Sequence, residues 1–348
     1  MTVGDLVLEI QKYCSWFKPN KTLEKKASDN VADINNTVLR LLDKIPGICE
    51  TYQSFLANKE MSLKICNENL NRVVLEEGMT LEALGYCWIK NTSMGAFMRP
   101  IVKTRKTISG NDIDLDGEID GEFLFDIKSF TPFTQSIQHK LSVLQKKHPQ
   151  YAFMVTNRTD ISSKKLCDAS VYAQAKNIDE NNADGGILHL PNSGMIMMKK
   201  RERVNLSESA FSPFAWCESN YKLFLDHCHQ FVLDKPFVLV EMMDSDSFFD
   251  NSLISTYMLL RTLVRRTFFD LSENTDKAML FDRKIADENI LVKQAISFLS
   301  AIMFIDCRTG RAYAFINPKA KNNVNRQPFE WYSWENRITI DDFYFDNY

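Results

Sequence analysis

Between residues 112 and 118 an acidic side chain stands at every second position: Asp112, Asp114, Asp116 and Glu118. A spacing of two puts them on one face if the segment is a strand. Asp120-Gly121 follows, a dipeptide that favours a tight hairpin turn. Beyond it Phe123 and Phe125 alternate with Leu124, Asp126 and Lys128, again at strand spacing. Residues 110–130 therefore read as a β-hairpin with carboxylates on both arms and a lysine two residues past the last of them. Carboxylates that converge from adjacent strands repel one another unless a cation lies between them. Hard oxygen donors of this kind favour Mg2+ or Mn2+.

Other patterns compete for the same residue types. Asp112-x-Asp114-x-Asp116-Gly117 also opens a calcium loop of the EF-hand type. That loop needs a bidentate Glu at its twelfth position, where Phe123 stands, and a helix on each side, where the flanks here read as strand. An acid-x-lysine tripeptide is uninformative alone, since Glu24-Lys25-Lys26 and Asp282-Arg283-Lys284 also satisfy it. The order of elements around the hairpin gives it weight. Residues 61–84 carry Leu63, Leu70, Val73 and Val74 at helical spacing, with a bend expected at Gly78 and an end at Gly85. Residues 97–108 read as a first strand and the hairpin as the second and third. Residues 133–147 read as a helix stopped by Pro149, and 151–155 as a fourth strand.

An aspartate on one strand, a short turn, then Asp126-Ile127-Lys128 closing a hydrophobic strand resembles the PD-(D/E)xK nuclease superfamily. The resemblance covers about residues 112–128. Asp126-x-Lys128 takes the place of the (D/E)xK element. Asp114 takes the place of the upstream aspartate, because counting back from the turn puts it across from Asp126; Asp112 and Asp116 remain the alternatives. Ile113 stands where the family has proline. The resemblance implies an α/β fold with a restriction-endonuclease-like core: helix, three strands, helix, strand, in a mixed sheet. It implies hydrolysis of phosphodiester bonds in DNA with Mg2+ or Mn2+ held by Asp114, Asp126 and the Ile127 carbonyl. Lys128 would position the attacking water or stabilise charge on phosphorus. The first core helix of such enzymes often adds a glutamate; Glu77 is the first choice here, Glu82 the second, with Glu68 and Glu76 also on that helix. The alternative is a calcium- or nucleic-acid-binding protein that keeps the hairpin without cleaving.

Composition bounds the rest. A chain of 348 residues holds one large or two to three small domains. Hydrophobic and charged fractions of 45% and 25% exclude a disordered chain and select no fold. A net charge of -3 excludes a protein coated in basic charge, so nucleic acid would need a local groove. Lys103, Arg105, Lys146 and Lys147 are the candidates, with Lys199, Lys200, Arg201 and Arg203 as an outlying cluster. Eight cysteines without a C-x-x-C pair read as reduced, which suggests a cytoplasmic protein. Adjacent residues ligate one tetrahedral zinc poorly, so His227-Cys228-His229 reads as structural. No signal peptide and no membrane span are expected. Expected partners are DNA, with RNA left open, and room is left for a homodimer. The expected division is a helical region over 1–60, the nuclease core over 61–235, and an α/β region over 236–348 packed on that core. Within the last region, 237–242 reads as a buried strand, and 302–306 with 312–316 as a hairpin.

Overall fold

A computed structural model of the chain describes residues 3–29, 48–58, 77–104, 106–110, 112–130, 144–145, 147–157, 169–189, 195–201, 217, 220–243, 255–276, 290–306, 309–331 and 338–347. The described helices are α1 (Val3–Tyr13), α2 (Lys21–Ser28), α3 (Ile48–Ala57), α4 (Glu77–Lys90), α5 (Ala169–Glu180), α6 (Thr256–Asp270), α7 (Val292–Ser297) and α8 (Gln327–Glu330). The strands are β1 (Met98–Thr104), β2 (Ile113–Ile119), β3 (Phe123–Ser129), β4 (Tyr151–Asn157), β5 (Gly185–His189), β6 (Met195–Lys200), β7 (Phe237–Met243), β8 (Ala301–Asp306), β9 (Ala312–Ile316) and β10 (Ile338–Asp341). A 3-10 helix, Leu223–Gln230, precedes β7. The class is α/β, with a mixed sheet.

The chain divides into two compact units. The first comprises Met1–Phe130, Phe224–Ser245 and Thr267–Tyr348, and holds a seven-stranded sheet in the order β1-β2-β3-β7-β8-β9-β10. Antiparallel pairs join β1 to β2, β2 to β3 and β8 to β9; β3–β7, β7–β8 and β9–β10 are parallel. The parallel centre is buried on both faces, as parallel strands require, and β7 and β8 are buried at every position. The second unit, Thr131–Leu223 with Asp246–Arg266, holds the antiparallel sheet β4-β6-β5. Its core joins Leu144, Tyr151, Val171, Leu188, Ile196 and Met198.

This arrangement corrects several expectations. The 151–155 strand forms as β4, but in the small sheet; the strand beside β3 is β7, more than a hundred residues further on. An isolated apolar run cannot say which sheet it joins, whereas the uninterrupted apolar character of 237–243 suits the buried parallel position. Strands β7 to β10 lie in the same sheet as the hairpin, so 236–245 and 267–348 are part of the main unit and not an addition to it. The boundaries at 60 and 235 do not coincide with the two units. Most of the expected helix at 133–147 lies outside the described residues, as does 61–76.

Helix α4 runs through Gly85 instead of stopping there. A Cβ at Gly85 would meet Met242 Cγ at 2.5 Å and Ile127 Cγ2 at 2.7 Å, so the glycine serves close helix–sheet approach. Leu84, Cys87 and Trp88 of α4 pack with Phe125, Ile127, Val240, Met242 and Met303 from one face of the sheet. Registers put Asp126, Leu239 and Ile302 in one row of the other face and Lys128, Glu241 and Phe304 in the next. There Phe304 meets Phe130, Phe224 and Phe315 edge-on. Among the described residues no helix is long and apolar enough to cross a membrane. Cys14, Cys87, Cys217 and Cys228 are buried and not in disulfides.

Candidate active site

The hairpin forms as expected, with Gly121 at φ 75° in the connection and Ile119 opposite Phe123. Its two strands pair only through Ile119–Phe123, Glu118–Leu124 and Gly117–Phe125. Beyond Gly117 the ladder stops and a side chain takes over: Asp116 Oδ2 accepts the Ile127 backbone N–H at 2.7 Å. The strands thus separate where Asp116 and Asp126 face each other, and β3 turns its remaining length to β7. Counting from the Ile119–Phe123 pair leads from Asp126 to Asp116. The expected ligand Asp114 is exposed and lies across from Lys103 of β1 instead. Asp112 is also exposed, and the residues that could have opened a calcium loop form β2, a strand.

Asp126 is 2% exposed and its Oδ2 contacts the Lys128 ammonium as an ion pair, without the angular geometry of a hydrogen bond. Burial and then the Asp126 charge push Asp116 well above the usual carboxylate range, opposed by Lys128 and the Ile127 N–H. Burial acts to lower the pKa of Lys128, but Asp126, Asp116 and Glu82 outweigh it and hold the ammonium charged. Glu82, on α4, acts on Asp116, Lys128 and Glu241 alike. The first-choice Glu77 begins α4, and its side chain lies outside the described residues, as do Glu68 and Glu76.

Two members of the group were not legible as site residues. Glu241 is 2% exposed on β7, directly beside Lys128 in the ladder. Burial, then Glu82 and Asp126, push its carboxyl up to about 8, while Lys128 pulls it down. Its signal was a single acid within the apolar run Phe237-Val238-Leu239-Val240-Glu241-Met242-Met243. His227 comes from the 3-10 helix; burial and the Lys128 charge push it down to about 4, against the opposing pull of Asp126. Its imidazole is therefore neutral at pH 7.

Family models, curated proteins and solved structures give no match to this chain. Four acids, Glu82, Asp116, Asp126 and Glu241, interact electrostatically with the Lys128 ammonium, and Asp126 touches it. All are hard oxygen donors, which fits Mg2+ or Mn2+ better than a thiolate-seeking metal. The spacing is less complete: among the described residues no three His, Cys, Asp or Glu side chains are grouped to hold a metal ion. One Asp116 oxygen is engaged by Ile127 N–H and one Asp126 oxygen by Lys128. Of the expected nucleic-acid contacts, Lys103 is exposed on β1, and Lys147 sits over the Tyr172 ring at 4.2 Å in the second unit. Arg105 and Lys146 lie outside the described residues.

Proposed function

We propose that the protein is a metal-dependent nuclease of the PD-(D/E)xK type, hydrolysing phosphodiester bonds in DNA. The observation that supports it most is the break in the β2–β3 ladder, which sets Asp116 opposite Asp126 with Lys128 one strand repeat further along. Acid, acid and lysine on two diverging strands is what the resemblance requires, with Asp116 in the upstream role. Mg2+ or Mn2+ held by Asp116 and Asp126, with the Ile127 carbonyl as the resemblance implies, would activate water and neutralise the leaving oxygen. The chain's own part follows from its charges. Lys128 stays an ammonium at neutral pH, so it stabilises negative charge on the phosphoryl oxygens and does not act as a general base. Glu82 strengthens that positive state. His227, neutral and close enough to feel both Lys128 and Asp126, can accept a proton.

The test is cleavage of duplex, single-stranded and branched DNA and of RNA in Mg2+, Mn2+ or Ca2+. The proposal expects products with Mg2+ or Mn2+ and inhibition by Ca2+. A second reading, binding without hydrolysis, draws on the lack of a three-ligand group among the described residues. It expects nucleic acid to be retained and left intact in all three ions.

A further inference from the structure

Lys128 and Glu241 are in-register neighbours on the parallel pair β3–β7, so their side chains stand side by side on one face. Glu241 is 2% exposed, and the ion pair that Lys128 makes goes to Asp126. A buried acid on an otherwise apolar strand is costly, and an apolar residue would serve the strand better. Asp126 has its buried Oδ2 already in contact with the Lys128 ammonium. Asp126 cannot give that oxygen to a divalent cation while Lys128 sits on it.

We infer that Glu241 is a positioning residue: it is the second station of the Lys128 ammonium, receiving it when Asp126 turns to a metal ion. The inference rests on the metal centre proposed above. It explains why a strand otherwise wholly apolar keeps one acid, and why that acid lies beside Lys128 and not beside Asp126. The lysine Nζ needs only to cross from the carboxylate in the adjacent row to the one in its own row, so a rotamer change suffices. The charge of Glu82, felt by both Lys128 and Glu241, is a constant background to the two stations.

Direct metal ligation by Glu241 is the rival account, and a double-mutant cycle separates the two. The readout is Mn2+ affinity of the full chain, followed by the loss of the free-ion electron paramagnetic resonance signal. Glu241→Gln is nearly isosteric and introduces no charge, so the fold is kept; thermal unfolding in EDTA checks this. Glu241→Asp, which keeps a carboxylate, should retain most of the affinity. With Lys128 present, Glu241→Gln should weaken Mn2+ binding by about tenfold, within the coupling expected of contacting charged neighbours. In a Lys128→Met background, where no ammonium competes for Asp126, the same change should cost less than about threefold. Equal losses in both backgrounds would make Glu241 act on the ion itself and overturn the inference, as would no loss in either. Wild-type protein that binds no Mn2+ would remove the metal centre, and this inference with it.

Discussion

Lys128 is held charged by three carboxylates, and the clearest consequences lie in its partners. Lys128→Ala should lower cleavage by about a hundredfold or more while leaving nucleic-acid binding in Ca2+ unchanged, because the role proposed for it is in the transition state. Filter binding and single-turnover cleavage separate the two effects. Glu241 gives a pH signature. Its folded pKa of about 8 lies above that of an exposed glutamate, so its stabilising contribution is full below about pH 4.5 and is lost as pH rises through 8. The loss is at most about 5 kcal/mol. Glu241→Gln should therefore melt like wild type at pH 5 and above it at pH 9 in EDTA; parallel melting curves would contradict this. The Asp126-x-Lys128 element was legible because an acid and a lysine two apart in a hydrophobic strand share a face. The acid facing Asp126 lies one strand repeat from the expected Asp114: the connection Asp120-Gly121-Glu122 sets the Ile119–Phe123 pair, and only that register tells Asp116 from Asp114. Glu241 was out of reach, since its relation to Lys128 spans more than a hundred residues.

The hairpin works because its neighbours fix it. Helix α4 presses on β3 and β7 at Gly85, where a Cβ would meet Met242 and Ile127 side chains. Gly85→Ala gains roughly 1 kcal/mol of helix propensity, but the clash should cost roughly 1–3 kcal/mol. A lower denaturant midpoint is expected, together with reduced cleavage, since Ile127 lies between the two site residues; a raised midpoint would show that the interface can yield. The elements β1 to β3, β7, β8 and β9 were legible from alternation, turns and apolar runs within a few residues of their ends. Their partners were not. Residues 151–155 and 237–242 are both short apolar runs after a helix, and local pattern cannot rank them for the place beside β3. The complete burial of β7 decides it in the fold, and that is a tertiary property.

Across the whole molecule, charge sets how a nucleic acid could be held. With a net charge of -3, binding must come from a local patch. Lys103, exposed on β1 in the unit that holds the site, is the described residue best suited to contact phosphate. Lys103→Ala should weaken all substrates alike and reduce the salt slope of duplex binding by about 0.9; an unchanged slope would take β1 out of the binding surface. The proposed reaction requires Asp116 and Asp126 to share one cation-dependent task from opposite sides of a broken ladder. The most direct measurement is single-turnover cleavage in Mg2+ and Mn2+ by wild type, Asp116→Asn, Asp126→Asn and Asp114→Asn, each checked for folding. Wild type and Asp114→Asn should cleave within about threefold of each other, while Asp116→Asn and Asp126→Asn each lose about a hundredfold or more. Equal activity in Asp116→Asn and wild type, or a loss confined to Asp114→Asn, would contradict it.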